Sequence, residues 1–404
     1  MKYDFTSLMN RSGHDAIAVD VIPIPGAAVK EGFSVIPMWV ADMNFPTLPT
    51  ITEAIHARTN EPHFGYFELP DAYFESIIRW QNVRNGVGGL TPEAIGYENG
   101  VLGGVISAVT AFTEPGESIL LHSPTYIGFT GSVENSGRKI VLSDLVQDKD
   151  GVWRMDYEDM DRKLKENKIH FAIFCSPHNP TGRVWERREI EKAMEVYAAN
   201  DCIVVSDEIW SDLTLPGHQH IPTQSVSEDA KNRTIAFYAT TKTFSLAGLV
   251  GSYHIIYNSY LRDRVAKASS YSHYNSPNVL SVHALIGAYR PEGYQWVDEL
   301  REVLDENTSY AYNYITTHFE GIHLSKPEGT YMLYLDCEEW CRAHQMDMDD
   351  LLKAGVAVGV IWQDGRPFHR PYAIRLNVAV PHALVVEAMD RLDKYVFNPE
   401  KANE

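Results

Sequence analysis

The chain has 404 residues, is 44% hydrophobic, and carries 35 Lys and Arg against 54 Asp and Glu, a formal net charge of −19. That length supports two or three structural units around a large buried core. The acidic balance argues against nucleic acid and anionic membrane as main partners, because both repel such a surface. No apolar stretch approaches membrane-spanning length and no secretory leader is visible at 1–10, so a reduced, cytoplasmic residence is expected.

Residues 1–50 are rich in Pro and Gly with weak periodicity, and are expected to wrap onto a C-terminal unit. From 51 to about 290 short apolar runs alternate with amphipathic stretches. Helix is predicted at 104–112, strand at 118–122, helix at 125–135, and strands at 139–142 and 170–175. A helix at 187–200 follows, with Ile190, Met194 and Tyr197 on one side, then strands at 202–206, 234–238 and 252–256. Such alternation predicts an α/β fold, a mostly parallel sheet covered by helices on both faces. The character changes after Pro291. A long helical pattern spans 294–318; an apolar run at 330–336, a helix at 348–354, a strand at 373–378 and a helix at 381–396 complete a smaller α+β unit, 291–404. Cys175 and Cys202 fall in predicted buried strands. Cys337 and Cys341 form a C-x3-C pair without a second pair or a nearby His cluster, and read as incidental thiols rather than metal ligands.

Three strand ends carry reactive side chains. In Cys175-Ser-Pro-His-Asn-Pro-Thr-Gly182 an apolar run meets Asn179, which taken alone reads as a turn. In Val204-Val-Ser-Asp-Glu-Ile-Trp210 a buried strand ends in two carboxylates; a helix cap is the plain alternative. In Tyr238-Ala-Thr-Thr-Lys-Thr-Phe-Ser-Leu-Ala-Gly248, Lys242 follows a strand among hydroxyl residues, and alone it reads as a solvated lysine. Together these ends can share one crevice, because functional loops of a parallel sheet gather at the carboxyl ends of its strands. The set suits pyridoxal-5′-phosphate (PLP). A lysine amine condenses with the aldehyde, a carboxylate keeps the pyridine nitrogen protonated, an amide meets the phenolic oxygen and hydroxyls hold phosphate. Gly100-Val-Leu-Gly-Gly-Val-Ile-Ser107 enters a predicted helix whose free N–H groups would bind phosphate; the spacing is neither a dinucleotide fingerprint nor a Walker loop. Tyr126, after the 118–122 strand, could stack on the ring or simply pack at a helix start.

With these residues in view, the chain resembles fold-type I PLP enzymes, the aspartate aminotransferase superfamily. Within it the chain is similar to the MalY/PatB group of cystathionine β-lyases and cysteine C–S lyases. The resemblance runs through Met38-Trp-Val-Ala-Asp-Met43, Phe64-Gly-Tyr66, Ser176-Pro-His-Asn-Pro180, Ser206-Asp-Glu-Ile209, Lys242-Thr-Phe244, Pro327-Glu-Gly-Thr-Tyr331 and Arg375-Leu-Asn377. It implies that Lys242 carries the cofactor and acts as general base, Asp207 pairs with the pyridine nitrogen, Asn179 contacts the phenolic oxygen and substrate, and Tyr126 stacks on the ring. It further implies that Val101 and Leu102 offer N–H groups and Thr241 a hydroxyl to the phosphate. Tyr66 would reach the phosphate of a neighbouring subunit in a homodimer, and Arg375 would clamp the substrate carboxylate. The expected large cofactor-binding domain is 51–290.

Four positions depart from the family pattern: Trp210 stands where the lyases usually have His, Ile127 where a second Tyr is common, Thr240 and Thr241 replace Pro and Ser, and 360–370 lacks a glycine-rich segment. The resemblance implies that these positions surround the substrate rather than the cofactor, with Thr241 also within reach of the phosphate. The expected activity is β-elimination from a cystathionine- or cysteine-type amino acid, giving a thiol, pyruvate and ammonia. The alternatives are transamination and a regulatory protein that holds PLP structurally.

Overall fold

The computed structural model describes residues 1–272 and 276–400. Thirteen strands run in chain order: β1 (Ile36–Met38), β2 (Ile95–Asn99), β3 (Ser118–Ser123), β4 (Lys139–Asp144), β5 (Val146–Gln147), β6 (Trp153–Arg154), β7 (Phe171–Cys175), β8 (Ile203–Asp207), β9 (Thr234–Tyr238), β10 (Gly251–Ile255), β11 (Met332–Asp336), β12 (Val360–Asp364) and β13 (Ala373–Asn377). Seven of them form one sheet in the order β2-β10-β9-β8-β7-β3-β4. β10 alone runs against its two neighbours; β4, β3, β7, β8 and β9 are parallel.

The central strands are mostly apolar because helices cover both faces. β7 and β9 are buried at every position. The side chains alternate with the period of two that a strand imposes. Ile173, Val205 and Phe237 enter one core with Val105 and Phe129, while Phe174 and Val204 enter the opposite core with Trp185 and Met194. The helix Val101–Phe112 lies close on the sheet, since a Cβ at Gly104 would sit 2.2 Å from the Phe237 ring.

The second sheet has four strands in the order β1-β12-β13-β11. β1 pairs in parallel with β12, and β13 runs antiparallel to β12 and β11. The first fifty residues thus contribute a strand to the C-terminal sheet. The helices Pro291–His318 and His382–Leu392 complete this layer. The helix expected at 381–396 is α-helical to Leu392 and continues as a wider π-helical turn, Asp393–Phe397, that buries Val396 and Phe397. Among the described residues no helix is long and apolar enough to cross a membrane.

Candidate active site

The strand directions bring β2, β3, β7, β8 and β9 to the same edge, and the loops that leave them wall a cavity of about 310 Å³. Asn179, Asp207, Thr241 and Lys242 line it, with Tyr126 on one flank. So do Val101 and Leu102, the first residues of the helix after β2. That helix starts at Gly100, whose φ of 76° lies in the left-handed region. No side chain caps it, and its first residues line the cavity, an arrangement that suits an anion.

Asp207 ends β8 and is 4% exposed. Its carboxylate accepts one hydrogen bond, from the Ile209 N–H at 3.0 Å. Burial pushes it up to about 7, against the pull of that bond and of Lys242. Lys242 sits in the short turn Thr240–Thr243 after β9. Its amine donates to the Ala41 carbonyl at 2.9 Å and lies 5.9 Å from the centre of the Trp210 ring. Burial, then Arg375, lowers it to about 8, with Asp42 and Asp207 opposing. An amine of that basicity takes and gives protons near neutral pH.

Asn179 is buried after β7, and its Oδ1 accepts from Arg375 Nη1 at 3.1 Å. A guanidinium only donates, so this contact fixes the amide and turns the Asn179 NH2 away from Arg375. Arg375 stands on β13 one layer behind Asn179. Its Nη2 donates to the Trp39 carbonyl at 3.0 Å, while its Nε is buried without a partner. Burial lowers it to about 10. The Tyr126 ring meets Phe129 edge-on at 5.3 Å, and burial raises its hydroxyl. Tyr66 lies outside the cavity, fully exposed on the chain between two helices.

The donor set fits PLP. Asp207 is a buried carboxylate without a salt-bridge partner among the described residues, which suits a cationic ring N–H. Arg375 is a buried cation without a carboxylate partner among the described residues, which suits an anionic substrate group. Glu208, next in sequence, belongs elsewhere. It is fully buried facing the core and accepts from Ser206, His220, Thr223 and Tyr238.

Sequence reasoning missed the Ala41 carbonyl that holds the lysine amine. A backbone oxygen carries no residue-type signal, so only the fold reveals it. The departing residues are now placed. Trp210 is 2% exposed, lines the cavity and meets Tyr331 edge-on at 4.8 Å. Ile127 packs against Tyr334, Phe368 and Ala373. Arg366 is tied to Asp349 and Asp364, and Arg370 reaches the Leu145 carbonyl over the Trp153 ring; neither lines the cavity, and Arg375 adjoins it through Asn179 rather than lining it. A larger cavity of about 370 Å³ near Arg370 and Tyr334 contains none of the converging strand ends.

The aminotransferase class I and II family matches residues 35–392. Cystathionine β-lyase PatB of Bacillus subtilis is 34% identical over 323 residues, 80% of this chain and 83% of that protein. Among solved structures, cystalysin from Treponema denticola, which contains pyridoxal 5′-phosphate, superposes with a TM-score of 0.88 at 29% identity, covering 98% of this chain and 99% of that one. The PLP-bound C–S lyase of Staphylococcus hominis gives 0.87 at 27% identity, covering 98% of both chains.

Proposed function

Because this chain belongs to the aminotransferase class I and II family, we propose that it is a PLP-dependent carbon–sulfur β-lyase. It has the fold-type I architecture, and it acts on L-cystathionine- or L-cysteine-type amino acids to give a thiol, pyruvate and ammonia. The observation that carries the reading is the pair of buried charged residues without an ion-pair partner among the described residues, Asp207 and Arg375, the second bonded to Asn179 and both acting on Lys242.

PLP, when bound, supplies an electron sink for the pair left on Cα. The residues do the rest. Lys242 would hold the cofactor through its aldehyde, and as a free amine its Nζ would accept the Cα proton. Asp207 would hold the ring N–H, Asn179 would offer its amide to the phenolic oxygen, and Tyr126 would cover the ring. Val101, Leu102 and Thr241 would hold the phosphate. Arg375 holds the α-carboxylate, with its buried Nε as the free donor. Loss of the thiol from Cβ and hydrolysis of the remaining fragment complete the elimination.

The active unit is a homodimer in this reading. Phe64 at 60% exposure and a fully exposed Tyr66 support it, since large aromatic side chains so placed call for cover. Tyr66 then reaches the partner's phosphate site. The domain division follows the two sheets, with 1–50 joining 291–404 through β1 and 51–290 forming the cofactor domain. The acidic surface and four buried free thiols support a cytoplasmic setting.

The test is incubation with L-cystathionine in the presence and absence of a keto acid. Pyruvate and homocysteine form without the keto acid if the reading holds. Turnover that requires a keto acid would establish transamination in its place, with Trp210 against Lys242 as the structural difference to pursue.

A further inference from the structure

Five consecutive backbone carbonyls, Trp39 to Met43, each accept a side-chain hydrogen bond. Arg375 reaches Trp39 at 3.0 Å, Asn377 reaches Val40 at 2.8 Å and Asp42 at 2.7 Å, Lys242 reaches Ala41 at 2.9 Å, and Arg11 reaches Met43 at 3.2 Å. The segment leaves β1 without a sheet partner, so side chains satisfy carbonyls that a ladder would otherwise satisfy. Ala41 forms part of the cavity wall.

Arg11 is the donor from outside the site. It also bonds Asn44 Oδ1 at 2.8 Å and forms an ion pair with Asp42 at 2.5 Å. A guanidinium suits this task, because its fixed fork serves a carboxylate and a carbonyl at once. The arm that carries it is fastened on both sides of Arg11. Phe5 packs edge-on against Phe45 at 5.3 Å, and the Trp39 indole donates to the Ala18 carbonyl at 3.0 Å.

We propose that Arg11 is a positioning residue for Lys242: it fixes the 39–43 segment and compensates the Asp42 carboxylate, so that the Ala41 carbonyl holds the lysine amine in the cavity. The inference rests on the reading of Lys242 as the cofactor lysine. The charged groups facing Lys242 are Asp207 from β8, Arg375 from β13 and Asp42 from this segment. Arg375 lowers the basicity of the amine, and the two carboxylates raise it. Arg11 acts on this balance through Asp42.

The test is a pH titration of the visible band of the full-length, PLP-loaded protein, with thermal unfolding in parallel. Arg11→Met strips Asp42 of its counter-ion and should raise the midpoint by about half a pH unit or more. Asp42→Asn should lower it, since Arg11 keeps its contacts to Met43 and Asn44 and only the charge is lost. Arg11→Lys should restore most of the wild-type value. An unmoved midpoint in Arg11→Met, or a shift of the same sign in Arg11→Met and Asp42→Asn, overturns the proposal even if the melting temperature falls. If Arg11→Met does not fold, Asp42→Asn decides alone, and an unmoved or raised midpoint overturns it. A wild type without a band, or a band that survives Lys242→Ala, would instead overturn the functional reading.

Discussion

Asp207 and Glu208 are neighbours at the end of one strand, yet they belong to two regions with opposite chemistry. Glu208 faces the core with four hydrogen bonds; burial would raise it, but its contact with His220 holds it below the ordinary carboxylate range. Asp207 faces the cavity with one hydrogen bond and is pushed up to about 7. The Glu208 carboxylate is matched by the core around it, whereas Asp207 has a single backbone donor and Arg375 Nε has no partner. An unmatched buried charge costs several kcal/mol unless a ligand meets it, so the contrast marks where a ligand belongs.

Exchanging the properties of the two carboxylates breaks the comparison most severely. Asp207→Asn should cut turnover by about two orders of magnitude or more, measured as kcat/KM with L-cystathionine, while the fold is retained. Arg375→Ala, the other unmatched charge, should lower kcat/KM by about ten- to a hundredfold, chiefly through KM, with the cofactor still bound by its absorbance. Glu208→Gln should act on the other region. A loss of about 2–4 kcal/mol in denaturant unfolding is expected, with kcat within a few-fold of wild type. Loss of turnover without loss of stability would erase the distinction.

A gentler probe uses pH. Asp207 titrates at 3.8 when unfolded and about 7 when folded. Between those values the folded chain keeps a proton that the unfolded chain has released, so stability without a cationic partner falls as pH rises towards 7. PLP brings that partner. The gain in melting temperature on adding it should therefore widen between about pH 5 and about pH 8, by a few degrees. A gain that is flat or shrinks over this range would mean that Asp207 does not meet a cation.

The same contrast explains what was legible in the sequence. Predicted strands at 118–122 and 170–175 fall within a residue of β3 and β7, and 234–238 coincides with β9, because a parallel sheet buried on both faces demands unbroken apolar runs. Lys242, Asp207 and Asn179 stood out because polar groups at the ends of such runs have few structural reasons to be there. The separate fates of Asp207 and Glu208 were not legible. Both follow the same strand, and only the alternation of its faces and the placing of His220 and Tyr238 decide which one is satisfied. The helix expected at 381–396 is present over that span, but its last turn, Asp393–Phe397, widens to a π-helix, which an apolar pattern alone does not reveal. The role of 39–43 escaped because its contacts are made by backbone oxygens.

The measurement that bears most directly on the central claim is borohydride reduction of the PLP-loaded protein followed by peptide mass mapping. The account predicts one pyridoxyl group per chain, on Lys242, and none in Asp207→Ala protein that no longer retains the cofactor. A label on another lysine, or no label in wild-type protein supplied with PLP, would contradict it.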